Sequence, residues 1–267
     1  MSRKCGIVGY VPPNGICNAA VFQANVRQYK TSVPLYLYSD YPWPDTIKTF
    51  SPEMLKHGSN KFGVNNMTWM IGLQLAIQQK LDYFLYLEAD CRVMGDEWDK
   101  RVWDELFSFQ RMPLVAGTLA VYNPFNAGPE AAKCFCELVA KYNTKRNYPI
   151  TGYMPVRSYG WKGAADSTGA CVFPNGALGV YSVDEMKALF GACNMASMAS
   201  SMTAWDMEIG KRLWARHGVN IFKLAGVLTS IYSGYGNVLN TEKERIEMLT
   251  SGAIAAVHQV KSEWKPE

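Results

Sequence analysis

The sequence has no hydrophobic run long enough to cross a bilayer, and its first residues are not followed by the apolar core of a signal peptide. It also has no Walker sequence, internal repeat, low-complexity tract or heptad pattern. These absences disfavour membrane-spanning proteins, P-loop proteins, solenoids and coiled coils. We therefore expect a cytoplasmic protein with no membrane span.

Regular cysteine spacing is missing as well. The seven cysteines are odd in number and irregularly placed, which is typical of reduced thiols in a cytosol-like compartment. Cys134 and Cys136 form a single Cys-x-Cys without a second pair, so no structural zinc site is expected. The net charge of +4 is compatible with phosphate-bearing ligands but is too small to indicate nucleic-acid binding by itself.

The composition that is present is that of a folded α/β protein. Of the 267 residues, 48% are hydrophobic and 13% are aromatic, enough to bury a substantial core. Ser182 with Glu185 forms a capping box, and Asn65 or Asn66 caps another helix. The composition of residues 143–174 predicts a long loop, which is either functional or mobile. The apolar pattern predicts strands at 5–11, 35–38, 83–87, 114–121, 171–181 and 219–224, and helices at 18–29, 66–79, 99–109, 129–142, 183–190, 204–217 and 242–249.

Residues 81–90 are the most informative stretch, because a near-continuous apolar block ends in two carboxylates. The block is typical of a strand buried on both faces, and Glu88 and Asp90 lie on the same side of an extended chain. The carboxyl end of a central strand opens into the ligand crevice of an α/β sheet. Two acids there suit Mg²⁺ or Mn²⁺ bridging to nucleotide phosphates. The alternative is a solvated turn that carries two acids.

The order of the segments resembles that of GT-A-type glycosyltransferases. Glu88, Ala89 and Asp90 stand in the place of the DxD motif of that family. Residues 174–179 (Pro-Asn-Gly-Ala-Leu-Gly) resemble its glycine-containing acceptor-side strand, and residues 204–213 resemble the start of its xED helix. His258 matches the frequent third metal ligand near the carboxyl terminus.

Two positions depart from the family pattern. Glu88 replaces the first Asp of the DxD motif, which keeps the charge but adds a methylene. Trp205 stands where the xED helix usually has Glu, which leaves Asp206 as the match to the catalytic base and Glu208 as its competitor. Asp206 could instead serve only to stabilise the helix amino terminus.

The resemblance implies a GT-A-like, Rossmann-type mixed sheet flanked by helices in a single domain. Residues 1–120 would form the half that binds the nucleotide-sugar donor, and residues 121–267 the acceptor-side half. The expected activity is that of a metal-dependent hexosyl- or related transferase that uses Mn²⁺ or Mg²⁺ and a UDP-sugar or another nucleotide sugar. The mechanism would be inverting, with Asp206 as general base and Glu208 as the alternative base or an orienting group.

The resemblance also assigns the remaining site residues. The metal ligands would be Glu88, Asp90 and His258, with Glu88 alternatively reaching the ribose. The other binding residues would be Val8, Gly9, Tyr10, Ser39 and Asp40 on the donor side, and Asn175, Gly176 and Ala177 on the acceptor-side strand. For the first two strands, the alternative is ordinary strand packing followed by a turn.

Three other functions stay open at this point. A sugar nucleotidylyltransferase needs a glycine-rich, Arg-containing loop after the first strand, where this chain has residues 12–15, Pro-Pro-Asn-Gly. A non-catalytic carbohydrate- or nucleotide-binding module would not need to retain the acidic and histidine residues of the site. A DNA-modifying glycosyltransferase would act on a hydroxylated base that has left the stack. The acceptor is therefore unknown, and nucleic acid stays among the candidates.

Overall fold

Apolar strands collect into a mixed seven-stranded sheet in the computed structural model, which describes residues 3–13, 19–49, 61–108, 114–122, 171–191, 205–217, 222–224, 228–229, 242–258 and 260. The strands are β1 Cys5–Tyr10, β2 Leu35–Ser39, β3 Ile47–Lys48, β4 Tyr83–Leu87, β5 Arg92–Val93, β6 Val115–Tyr122, β7 Cys171–Ser182, β8 Phe222–Leu224, β9 Leu228–Thr229 and β10 Ala256–Val257. The helices among these residues are α1 Ala19–Gln28, α2 Lys61–Gln78, α3 Lys100–Phe107, α4 Val183–Phe190, α5 Trp205–His217 and α6 Glu242–Thr250.

The sheet is built around β1, with strand order β3-β2-β1-β4-β7-β6-β8. Ile7 of β1 is in register with Leu35 on one side and with Leu85 on the other, and both pairings are parallel. Only β7 runs antiparallel to its two neighbours, β4 and β6. The predicted architecture, a Rossmann-type mixed sheet flanked by helices in one domain, is confirmed. The division of donor and acceptor roles between residues 1–120 and 121–267 stays a prediction.

Alternating side chains of the central strands form a separate core on each face of the sheet. On one face, Val8 and Tyr86 pack with residues of α2, α4 and α5. On the other, Ile7 and Leu85 pack with residues of α1 and α3. Burial on both faces explains why β1 and β4 are almost continuously apolar. No helix among the described residues combines the length and apolar character that crossing a bilayer requires.

A second, three-stranded sheet, β5-β10-β9, joins the end of the chain to the segment after β4. Val257 of β10 is in antiparallel register with Arg92 of β5. The Asn25 amide fixes β5 from α1, because it accepts from the Val93 N–H at 2.9 Å and donates to the Val93 carbonyl at 3.0 Å. Satisfying both backbone groups of one residue prevents β5 from shifting its register.

Most of the predicted elements within the described residues are confirmed, with differences at their ends. Half of the predicted capping box is present, since Ser182 Oγ accepts from the Glu185 N–H at 3.4 Å, while the Ser182 N–H donates to the Leu114 carbonyl at 2.9 Å instead of to Glu185. The predicted cap at Asn65 or Asn66 is wrong: α2 begins at Lys61, and Asn66 is buried within it. No proline interrupts the residues before the asparagines, so the helical hydrogen bonds extend past them.

The predicted helix 129–142 and most of the loop 143–174 lie outside the described residues. Residues 171–174, where the predicted loop overlaps the predicted strand 171–181, belong to β7, so the strand prediction is confirmed there. Four strands of two residues each, β3, β5, β9 and β10, were not expected. Two residues are too few to show a periodic sequence pattern. Such strands form only because tertiary pairing with a neighbouring strand creates them.

Asp99 provides a test of how α3 is fixed to the sheet. Its buried carboxylate accepts from Ser32 N and Oγ, Val33 N and Trp103 Nε1, at 2.7 to 3.2 Å. We expect Asp99→Ala to lower the free energy of unfolding by about 2–4 kcal/mol, because it leaves several donors without an acceptor. Urea unfolding measures the change. The matched control is Asp104→Ala on the same helix, whose carboxylate is exposed, and an equal loss in the two variants would contradict the assignment.

Candidate metal centre

The carboxyl ends of β1, β2 and β4 meet at one edge of the main sheet. Because β1 pairs with β2 on one side and with β4 on the other, the order of the strands reverses there. In an open α/β sheet, a crevice for ligands forms outside such a switch point. Tyr10 and Asp40 lie at the ends of β1 and β2, and Glu88 directly follows β4. Polar groups from three strands therefore face the same crevice.

The turn after β4 is braced by a buried arginine. The Cys91 N–H donates to the Glu88 carbonyl at 2.9 Å, which closes the turn. The fully buried Arg92 donates to the carbonyls of Ala89 and Cys91, at 3.1 and 2.7 Å, on either side of Asp90. Hydrogen bonds to the carbonyls of the turn hold it in place. The position of the Asp90 side chain therefore does not depend on a ligand.

His258 reaches this turn through the pairing of β10 with β5. The Val260 N–H donates to the Asp90 carbonyl at 3.0 Å, which extends the contact past the strand. His258 Nε2 lies 3.1 Å from Asp90 Oδ1 and 3.6 Å from Glu88 Oε2. Each of the three side chains offers a ligand atom, and these atoms lie within 4.8 Å of one another. Glu88, Asp90 and His258 thus form a cluster that can hold a metal ion, as the sequence predicted.

The ion-pair geometry determines the charges of the buried members. Burial alone would lower the pKa of His258, but the charge and contact of Asp90, together with those of Glu88, raise it to about 10. Burial alone would raise the pKa of Asp90, but the positive charge of His258 outweighs it and lowers that pKa. Without a metal, the imidazolium of His258 therefore pairs with the Asp90 carboxylate near neutral pH.

The donor set fits a divalent cation. Asp90 Oδ1 is buried and forms no well-aligned hydrogen bond with another described residue, although His258 Nε2 lies 3.1 Å away. His258 Nδ1 is likewise buried without a hydrogen-bond partner among the residues that the structure describes. Two carboxylates and one imidazole suit Mn²⁺, while Mg²⁺ prefers oxygen ligands alone. The side chain of Glu88 is 34% exposed, so the cluster opens toward the crevice.

The two candidate bases lie in the first turn of α5 in different surroundings. Asp206 is half-buried, and its charge adds to the effect of burial in raising the pKa of Tyr181. Glu208 is buried and lies 3.3 Å from Arg212, which also donates to the Leu189 carbonyl at 2.8 Å. Glu208 is thus held toward α4 by an ion pair. The catalytic roles of both residues stay predictions.

Trp205, the departure from the family pattern, fixes the start of α5 against the sheet. Its ring stacks on Trp69 of α2 with centroids 4.9 Å apart and an interplanar angle of 16°. It also contacts the Tyr86 ring edge-on at 5.4 Å. Tyr86 precedes Glu88 by two residues and lies on the same side of β4. Trp205 therefore connects the helix that carries Asp206 to β4, the strand that Glu88 directly follows.

The predicted donor-binding residues of β1 and β2 divide into core residues and edge residues. Val8 and Ser39 are fully buried, and Ser39 Oγ donates to the Val11 carbonyl at 2.7 Å. A Cβ atom on Gly9 would lie 3.1 Å from the Leu37 side chain, so its role includes close packing. Tyr10 donates its hydroxyl to Asp40 Oδ1 at 2.6 Å. Tyr10 is partly exposed at the end of β1, whereas Asp40 is buried, and burial raises the pKa of Asp40 against the opposing hydrogen bond.

The predicted acceptor-side residues Asn175, Gly176 and Ala177 lie in β7. They directly precede Leu178, which is in register with Leu87 at the end of β4. Because β7 is antiparallel to β4, its amino end reaches the same sheet edge as Glu88. This placement is consistent with the prediction, whose binding role stays untested.

Two arginines near the cluster were not predicted from the sequence. The charge of Arg92 helps to lower the pKa of Asp90. Arg245 is buried on α6, and burial lowers its pKa, opposed by the charges of Glu242 and Asp90 among others. Neither arginine belongs to a recognisable motif, so only the folded chain places them beside the metal ligands.

No protein-family profile matches the chain, and no curated protein sequence matches it. Among solved structures, the chain is similar to the crystal structure of a glycosyltransferase involved in the glycosylation of the major capsid of PBCV-1. The TM-score is 0.47 and the sequence identity is 11%, over 97% of this chain and 95% of that chain.

Proposed function

We propose that the protein is a metal-dependent glycosyltransferase that transfers a sugar from a nucleotide-sugar donor to an acceptor hydroxyl. The single observation that carries the proposal is the convergence of Glu88, Asp90 and His258 at the strand-order switch of the sheet. The DxD-like and xED-like sequences, in the same order as in GT-A-type enzymes, give this cluster its chemical interpretation.

The three ligands would hold Mn²⁺ or Mg²⁺, which supplies Lewis-acid stabilisation of the negative charge on a leaving diphosphate. Asp90 is the central ligand, because its carboxylate is buried and Arg92 donates to the backbone carbonyls on either side of it. Glu88 is more exposed and would reach the metal or the ribose. His258 supplies the third ligand atom when its ring is neutral.

Binding of the donor would use the crevice beside the cluster. The Tyr10–Asp40 pair lies at the ends of the two neighbouring strands and offers a carboxylate and a phenol to a nucleoside. A UDP-sugar is the donor that the resemblance favours. Asn175, Gly176 and Ala177 would approach from β7 on the other side of β4.

The acceptor hydroxyl must lose a proton as it attacks the anomeric carbon. Asp206 is the proposed general base of an inverting mechanism, because it is half-buried at the helix start that Trp205 joins to β4. Glu208 is the weaker candidate, since Arg212 already pairs with it at 3.3 Å.

The experiment that tests the proposal is a thermal-shift series with UDP, GDP and ADP, each with and without Mn²⁺ or Mg²⁺. A ligand that binds only the native state raises the apparent melting temperature by mass action. We expect Asp90→Ala to remove the metal-dependent part of the shift while the fold survives, and Asp104→Ala, an exposed acid on α3, to retain it. A full metal-dependent shift in Asp90→Ala would exclude the proposed centre.

Metal affinity should depend on pH, because the ring of His258 carries a proton in the metal-free protein. With its pKa at about 10, His258 must lose that proton before it can bind a metal. The dissociation constant for Mn²⁺ should therefore fall about tenfold per pH unit as the pH rises from about 6.5 to 8. Calorimetry in buffers of different ionisation enthalpy measures the release of one proton per metal. A dissociation constant that is independent of pH in this range would argue against His258 as a ligand.

The assignment of the base is tested by Asp206→Asn, with Glu208→Gln as its matched partner on the same helix turn. Asp206→Asn should retain metal-dependent donor binding while donor-sugar turnover falls by about a hundredfold or more, because general-base assistance is lost. Release of nucleoside diphosphate from UDP-glucose and related donors follows the reaction. If Asp206→Asn is fully active and Glu208→Gln is not, the role belongs to Glu208. Donor binding with no turnover in the parent protein would identify a non-catalytic binding module instead.

A further inference from the structure

Arg101 binds the backbone of the turn that leads to the third metal ligand. From α3, its Nη1 donates to the Gly252 carbonyl at 2.7 Å and, at a longer 3.4 Å, to the Ile254 carbonyl. Its Nη2 donates to the Ala253 carbonyl at 3.0 Å. One guanidinium thus donates hydrogen bonds to three consecutive carbonyls. The planar, fork-like arrangement of its N–H groups suits this contact.

The strand that follows this turn is short, so contacts on the turn itself contribute to its placement. Gly252 has a positive φ of 72° and reverses the chain after α6. β10 then contributes only Ala256 and Val257 to the small sheet, two register pairs with each neighbour. A pairing of this length gives little stability by itself. His258 directly follows it.

The helix that carries Arg101 is itself firmly attached to the main sheet. Val102 and Leu106 of α3 are buried in the core that contains Leu85 and Leu87 of β4. The buried Asp99 carboxylate also accepts four hydrogen bonds at the start of the helix. A physical connection therefore runs from β4 through α3 and Arg101 to the turn before β10.

We propose that Arg101 is a positioning residue for the metal centre, which fixes the placement of His258 relative to Asp90. The inference rests on the proposed metal-binding role of the cluster. Arg101 hydrogen-bonds only to backbone carbonyls before β10 among the described residues, so it acts through the backbone and not on the metal itself. When the guanidinium is removed, the imidazole no longer has a fixed position 3.1 Å from Asp90.

A double-mutant cycle with Mn²⁺ tests this role. The dissociation constant for Mn²⁺ is measured by calorimetry, and free Mn²⁺ by electron paramagnetic resonance, in Arg101→Ala, His258→Ala and the double variant. Arg101→Ala should weaken binding by about tenfold or more, the scale of lost ligand orientation. In the His258→Ala background, the same substitution should have no further effect, because the two residues act through one ligand.

Two further variants separate positioning from general destabilisation. Lys100→Ala, an exposed neighbour on the same helix, should leave Mn²⁺ affinity unchanged. Arg101→Lys retains one cationic donor and should restore part of the affinity, even if Arg101→Ala folds poorly. Loss of affinity by the same factor with and without His258 would overturn the proposal. If His258→Ala itself leaves Mn²⁺ affinity unchanged, the metal centre of the proposed function fails, and that outcome is distinct from the first.

Discussion

The candidate site depends on one short antiparallel contact, the pairing of β5 with β10. This pairing brings His258 to Asp90, although the two residues lie in distant parts of the sequence. The buried imidazole and carboxylate are each costly to desolvate alone and become acceptable only together. The same pairing aligns the Val260 N–H with the Asp90 carbonyl at 3.0 Å. Without the two-residue strands, the site would retain two acids and lack a third ligand.

The opposite charges of His258 and Asp90 explain why the cluster suits a cation that binds reversibly. The raised pKa of His258 gives the metal-free protein its own internal counter-ion. A divalent metal replaces a proton on the ring, so the exchange leaves no buried carboxylate unpaired in either state. The cluster can therefore be preformed without a metal. This arrangement also limits affinity, because the metal must compete with a favourable ion pair.

The sequence predicted the parts of the site that follow from local geometry and missed the parts that tertiary pairing creates. Strand alternation predicted that Glu88 and Asp90 lie on one side of the chain. The two side chains do lie close together, but the turn that the Cys91 N–H closes on the Glu88 carbonyl brings them there, not an extended strand. His258 could be identified only through the family resemblance, because no local pattern connects it to β4. Arg92 and Arg101 carry no pattern signal, since their partners are backbone carbonyls that only the folded chain brings near. Val8 was predicted as a donor contact, but it is a buried core residue. An apolar strand residue that packs in the core beside a crevice looks the same in the sequence as one that lines the crevice.

Trp205 shows how the departure from the xED pattern is compatible with the proposed base at Asp206. A Glu at this position would place a charge among Trp69, Tyr86 and Tyr181, where burial disfavours the ionised form. The indole instead packs in the core and sets the rotation of α5 at its first residue. Helical geometry then turns the next side chain, Asp206, by about 100° away from that core direction. The residue that replaced a family acid thus becomes the anchor that holds the remaining acid, half-buried, at the helix start.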